Sequence, residues 1–161
     1  MNYNGNDIDK LKDYISVLQS QVKKYRFDAL TNLPGRKDFN ESLEYHAKSN
    51  HYFALYLIDL NGLKEINDNH SYEAGDDFLK KVAKEINLMS GRVYRIGGDE
   101  FSLISYEDNP PSYPISTDDY CVGLSQFNES KNAKEYFKEA ERMLKKEKME
   151  YYKSRGLERR K

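Results

Sequence analysis

The sequence predicts an α/β sandwich built on one sheet. Three observations lead there. Residues 52–60, YFALYLIDL, form a near-continuous apolar run, which reads as a strand buried on both faces and ending in Asp59. Residues 92–105 hold two short apolar runs, RVYRI and FSLIS, on either side of a glycine-rich acidic turn, the pattern of a hairpin. Helical spacing separates these strands and flanks them, giving the order α-α-β-α-β-β-β-α.

The first helix is expected over residues 6–27. Its apolar positions Ile8, Leu11, Ile15, Leu18, Val22 and Tyr25 are spaced 3, 4, 3, 4, 3, a heptad seam. One reading is a surface helix lying on its own domain. The favoured reading is a short parallel coiled coil joining two copies, with residues 1–27 as a unit apart from residues 28–161. The stretch 28–36, DALTNLPGR, breaks the helix at Pro34 and Gly35, and helical spacing resumes over 37–49 through Phe39, Leu43 and Ala47. After the first strand, residues 61–73 are a polar loop or broken helix. Residues 74–89 carry Phe78, Leu79, Val82, Ala83 and Ile86 on one helical face. The hairpin follows. Residues 106–119 are irregular and proline-rich, residues 120–127 read as a strand, and a last helix runs from 132 to about 152 with a basic, fraying tail. A strand–helix–strand unit is right-handed and parallel, so the first strand should neighbour the hairpin in parallel.

Bulk composition bounds the function. The chain has 161 residues, enough for one sizeable core, and a formal net charge of −1. That balance offers no global attraction to nucleic acid or to a membrane surface. Cys121 is the single cysteine, which excludes a disulfide framework and a cysteine-based zinc site and fits a reducing compartment. No apolar run approaches 18 residues and no signal peptide is visible, so a soluble, cytoplasmic protein is expected.

The chemistry centres on residues 94–104, YRIGGDEFSLI. Asp99 and Glu100 adjoin at the hairpin turn. They could be an acidic turn and no more. Adjacent carboxylates also repel, and a divalent cation between them relieves the repulsion. Asp59, at the end of a buried strand, is costly unless paired or bound to metal. If the two strands are neighbours, three acids surround one point, a geometry suited to one or two Mg²⁺ ions.

Three stretches in order, DALTNLPGR at 28–36, DLNGLKEINDNHSYEAGDDFL at 59–79 and GGDEF at 97–101, resemble the diguanylate cyclase (GGDEF) family. The resemblance is good over residues 25–105. It implies a fold similar to nucleotidyl cyclases and polymerase palm domains, with a single sheet, flanking helices and a preceding coiled-coil helix. It implies condensation of two GTP into cyclic di-GMP with release of two pyrophosphates, by two protomers facing each other. Asp59, the carbonyl of Leu60 and Asp99 would bind metal, Mg²⁺ or Mn²⁺, two per GTP. Asp99 would assist deprotonation of the 3′-hydroxyl, Glu100 would assist, and Lys64 stands with them beside the phosphates. Asn67 and Asp76 would read the guanine edge, and the backbone at Gly62 and Leu63 would hold phosphates. Gly97 and Gly98 would let the nucleotide come close to the backbone. Arg95 could offset phosphate charge or be a solvated strand residue. An ionised Asp accepts from guanine N1–H and N2–H₂ together, a pair of donors adenine lacks, which favours GTP.

Four departures from the family pattern stand out. Its product-binding Arg-x-x-Asp is Leu88-Met89-Ser90-Gly91, and its Gly-His is Ser71–Tyr72 with His70 early. The stretch from Phe101 to Val122 is short, leaving a sheet face less covered or covered by another chain. On the last helix Lys148 falls at the family's phosphate-binding lysine, but its arginine falls on Tyr152, with Lys153 or Arg155 as substitutes; Lys148 could also be one charge on a solvated face. Two alternatives therefore stay open beside an active cyclase: a degenerate domain that binds GTP or a protein without turnover, and a related nucleotide cyclase or palm-type polymerase.

Overall fold

The computed structural model describes residues 5–49, 51–107 and 114–156. Residues 108–113 of the proline-rich stretch after the hairpin, residues 157–161 of the basic tail and the side chain of Tyr25 lie outside the described residues. The elements are α1 (Gly5–Arg26), α2 (Arg36–Lys48), β1 (Ala54–Leu60), α3 (Leu63–Asn69), α4 (Tyr72–Ile86), β2 (Arg92–Arg95), β3 (Glu100–Ser105), β4 (Tyr120–Gln126) and α5 (Ala133–Ser154). Of the two readings of the polar stretch after β1, the broken helix holds: α3 ends at Asn69 and α4 starts at Tyr72.

One four-stranded sheet runs β2-β3-β1-β4. The first strand does neighbour the hairpin, but through β3 and antiparallel; its other neighbour, β4, is antiparallel too. The parallel pairing expected of β1 is corrected by a skip. The crossover lands β2 one position away, and β3 folds back into the gap between β2 and β1. In this register Ile58 faces Phe101 and Asp59 faces Glu100.

Side chains alternate across β1 and feed two cores. Tyr56, Ile58 and Leu60 join Leu79, Val82 and Ile86 of α4 on one face. Leu55 and Leu57 join Phe39 and Leu43 of α2 and Tyr136 and Ala140 of α5 on the other. Both faces are covered despite the short Phe101–Val122 stretch, so no bare sheet face results. Asp59 and Glu100 have the parity of the second face and lie at its end, between α2 and α5.

Two local devices seat α5. Asn132 and Glu135 form a reciprocal capping box at its start. Gly123 of β4 lets the helix lie against the sheet: a Cβ there would stand 2.0 Å from the Ala140 carbonyl oxygen and 2.4 Å from the Leu144 nitrogen. By contrast α1 keeps its seam uncovered. Ile8, Leu11, Ile15, Leu18 and Val22 are 46%, 58%, 44%, 42% and 53% exposed, so the helix does not lie on its own domain. Its base is tied to α2 by ion pairs from Arg26 to the buried Asp38 and, at 3.1 Å, to Glu41.

Gly123→Ala is expected to destabilise the fold by at least about 2 kcal/mol, since the clash is with helix backbone rather than a movable side chain. Denaturant unfolding of the two proteins measures it.

Candidate active site

Asp59 ends β1 with its carboxylate about a quarter exposed. Burial raises its pKa, hydrogen bonding and attraction from Lys148 oppose that, and repulsion from Asp99 and Glu100 adds to the rise; the net direction is up. The Lys148 ammonium from α5 bonds Asp59 Oδ1 and, at 3.0 Å, the Leu60 carbonyl oxygen. Lys148 is 8% exposed and therefore not one charge on a solvated face.

Glu100 opposite is also neutralised. Arg36, the first residue of α2, reaches its Oε2 at 3.1 Å and donates from Nε to the Ile96 carbonyl at 2.6 Å. Asp59, Glu100 and Lys148 line one cavity of about 670 Å³ with Lys138, Glu141, Arg142, Leu144 and Lys145. Asp99 sits one residue further out on the turn, and its backbone carbonyl braces β1 by accepting from the Leu60 N–H at 3.1 Å. Among the described residues no three carboxylates stand close enough to cage a metal unaided. The donors do fit a hard cation that arrives with phosphate. One carboxylate and one backbone carbonyl converge on a single point, and a cation already occupies it.

The turn is tight. The N–H groups of Ile96 and Gly97 both donate to the Glu100 carbonyl, at 2.9 and 3.1 Å. A Cβ on Gly97 would meet Glu100 Oε2 at 2.4 Å, while space beside Gly98 is open. Arg95 does not face the cavity. Its guanidinium pairs with Asp28 at 2.9 Å and with the Gly98 carbonyl at 2.6 Å, pinning the turn to the 28–36 segment. Arg95 thus holds the turn, and with its side chain 12% exposed it is not a solvated strand residue. Asp28 in turn accepts from the Thr31 N–H and hydroxyl at 2.8 and 2.7 Å. Burial pushes Asp28 upward, but the bonds from Thr31 and Arg95 outweigh it and leave its pKa below the ordinary value.

Beyond β1, Gly62 takes φ +72°, the left-handed conformation that turns the chain into α3. Leu63 and the exposed Lys64 open α3, and Asn67 lies on its inner side. Asn67 Oδ1 is buried without a hydrogen-bond partner and presses on Gly75, where a Cβ would come within 1.9 Å. Asp76, exposed, follows Gly75 on α4. Ser71 accounts for one departure in the sequence: it caps α4 by accepting from the Ala74 N–H at 3.2 Å. Gly91, in the stretch lacking the product-binding pair, turns at φ +141° against the Ile104 carbonyl. The two substitutes for the missing arginine are placed differently. Lys153 is exposed, and Arg155 pairs with Asp118 and stacks 3.9 Å from the Tyr151 ring centre.

Comparison with known proteins decides the family. The family model described as "Diguanylate cyclase, GGDEF domain" matches residues 25–118. The chain belongs to the GGDEF domain family. The GGDEF domain is 38% identical over 94 residues to the probable diguanylate cyclase DgcI of Escherichia coli, covering 56% of this chain and 21% of that protein. It is 32% identical over 120 residues to an uncharacterized membrane protein of Staphylococcus saprophyticus, covering 70% of this chain and 32% of that protein. The chain thus spans a third or less of these relatives. Among the described residues no helix is long and apolar enough to cross a membrane. The coiled coil and GGDEF domain of DgcB from Caulobacter crescentus, solved with c-di-GMP, superposes with a TM-score of 0.74 at 19% identity, covering 94% of this chain and 92% of that one. At that identity the likeness is one of fold.

Three supporting residues escaped the sequence reading. Arg36 and Asp28 both lie in DALTNLPGR, which reads as a helix break and as part of the family pattern but gives neither residue a role until its contacts with the hairpin are seen. Asn61, buried beside Leu60, donates to the Thr117 and Asp118 carbonyls, each at 3.3 Å.

Asp28→Asn is expected to cost about 2 kcal/mol at neutral pH, because it leaves Arg95 without its acid. The folded pKa lies below the ordinary 3.8, so this stability is fully present above that value and is lost as pH falls through the folded pKa. Denaturant midpoints of the two proteins should therefore stay apart from neutral pH down to about pH 4 and converge only as pH falls further.

Proposed function

We propose that this GGDEF domain is a diguanylate cyclase, condensing two GTP into cyclic di-GMP and two pyrophosphates. The single observation carrying the reading is the cross-strand pair Asp59–Glu100, set beside Asp99 at the end of a shared cavity. Asp59, the Leu60 carbonyl and Asp99 would hold Mg²⁺ or Mn²⁺, two per GTP, which supplies neutralisation of charge on the α-phosphate and the departing pyrophosphate. Asp99 takes the proton as the 3′-oxygen of one GTP bonds to the α-phosphorus of the other and the bond to pyrophosphate breaks. Glu100 stabilises the same region, and Lys64 and Lys148 meet the phosphates, with backbone contacts from Gly62 and Leu63. Asn67 and Asp76 bind the guanine edge. Asn67 Oδ1 is buried against Gly75 without a partner, and a turn of the amide toward solvent would let a base satisfy it.

Each 3′-hydroxyl must meet the other nucleotide, so the active form is a homodimer with facing sites. The exposed seam of α1 is the means of bringing residues 28–161 of two copies together. It leads into an apolar groove of about 500 Å³ lined by Ile15, Leu18, Val22 and Phe27. The domain works on the cytoplasmic side, where GTP is available.

A second reading is favoured by Tyr152 and the engaged Arg155: a degenerate domain that binds GTP without turnover. One assay separates the two. Protein incubated with GTP and Mg²⁺ or Mn²⁺ should yield cyclic di-GMP by mass spectrometry, and Asp99→Ala should lower the rate by at least about 10²-fold. GTP binding without product at any protein concentration would leave the degenerate reading standing alone. Leu18→Glu should convert the dimer to a monomer in sedimentation velocity and reduce the specific rate; wild-type protein that sediments as a monomer throughout would remove the dimer from the proposal.

A further inference from the structure

We propose that Lys148 is a built-in placeholder for the divalent cation. Its ammonium occupies the metal's oxygens in the nucleotide-free domain, and metal enters only as a triphosphate draws that ammonium away. The proposal rests on the reading of this cavity as a GTP site.

The contacts are specific. Lys148 Nζ bonds Asp59 Oδ1 and the Leu60 carbonyl oxygen, two of the oxygens assigned to metal. The lysine is buried and rises from a helix held firmly against β4 at Gly123. Two other acids line the cavity: Glu100 is held by Arg36, itself anchored on the Ile96 carbonyl, and Glu141 stands among Lys138, Arg142 and Lys145. With Lys148 on Asp59, the lining sets four basic residues against three acids and has little net charge left to attract a free metal ion.

Displacing Lys148 with metal alone would strand a buried ammonium without an acid, a costly state. A polyphosphate removes that cost by offering new oxygens. A lysine suits the exchange, being a point charge on a flexible four-carbon stem. Arg142, Lys145 and Lys138 on the same wall of the cavity further favour an anion there over a bare cation. Metal and nucleotide then bind with positive coupling, and the coupling is reciprocal.

The test is Mn²⁺ binding without nucleotide, read from the loss of the free-ion paramagnetic resonance signal. Wild type should bind weakly and Lys148→Met at least tenfold more tightly. Asp59→Asn in the Lys148→Met background should abolish the gain, and Lys148→Arg, which keeps the charge, should stay weak. Lys148→Gln serves where the methionine variant does not fold, as judged by circular dichroism melts. A folded neutral variant that binds Mn²⁺ no better than wild type overturns the proposal. A fluorescent GTP analogue with a methylene bridge between its α- and β-phosphates is titrated in parallel. Binding strengthened by Mn²⁺ in wild type but not in Lys148→Met supports the exchange, and equal strengthening in both overturns it. If the analogue binds neither protein while Mn²⁺ still discriminates between them, the lysine placeholder stands and the GTP reading falls.

Discussion

The antiparallel pairing of β1 with β3 is the constraint on which the site depends. Its register sets Asp59 opposite Glu100 at one end of the sheet. A slip of one residue would turn the side chains of one strand to the other face, sending Asp59 or Glu100 into the core that covers α4. The hydrophobic alternation of β1 between two covered faces resists such a slip, because every misregistered residue exchanges an apolar environment for the wrong one. The carboxylates are thus aligned by the burial of their neighbours.

The carboxylates that the register aligns would repel one another, and the structure answers with cations from two separate helices. Arg36 opens α2, and Lys148 comes from near the end of α5. Both helices cover the same sheet face, so the core that stabilises the domain also delivers the charges that balance its acids. Arg95 and Asp28 do similar work behind the turn, fixing its carbonyl and tying it to the segment entering α2. A GGDEF turn held from three directions is preorganised, and a preorganised acidic site is what metal-assisted transfer of a nucleotidyl group requires.

The uncovered α1 follows a different logic. Its apolar seam gains nothing from the domain that carries it, and three heptads are marginal alone. Association through this seam alone would be weak. Under the proposed cyclase reading, in which the reaction needs two facing sites, such a zipper makes partner concentration a natural control.

Much of this was legible in the sequence. Periodicity identified the helices and strands, because 3.6-residue and 2-residue repeats are local properties of a chain with a buried side. The GGDEF acids and Asp59 could be named because carboxylates beside buried strand are costly unless paired or bound to metal, and Asn67 and Asp76 because their stretch resembles the family's. Strand order was not legible. Whether a crossover lands beside β1 or one position away depends on where β3 fits, a competition among long-range pairings. Nor could the sequence distinguish Arg95, spent on holding a turn, from Lys148, seated on the acids. Both are single cations in polar patterns, and their roles depend on what stands within about 3 Å. Asp28 and Arg36 lie far along the chain from Lys148 and from the hairpin, and only packing of the 28–36 segment, α2 and α5 on one sheet face brings them to it. The sequence by itself determined the elements and the acids; the tertiary structure decided which cation each acid meets, because electrostatic pairing acts through space and is indifferent to chain order.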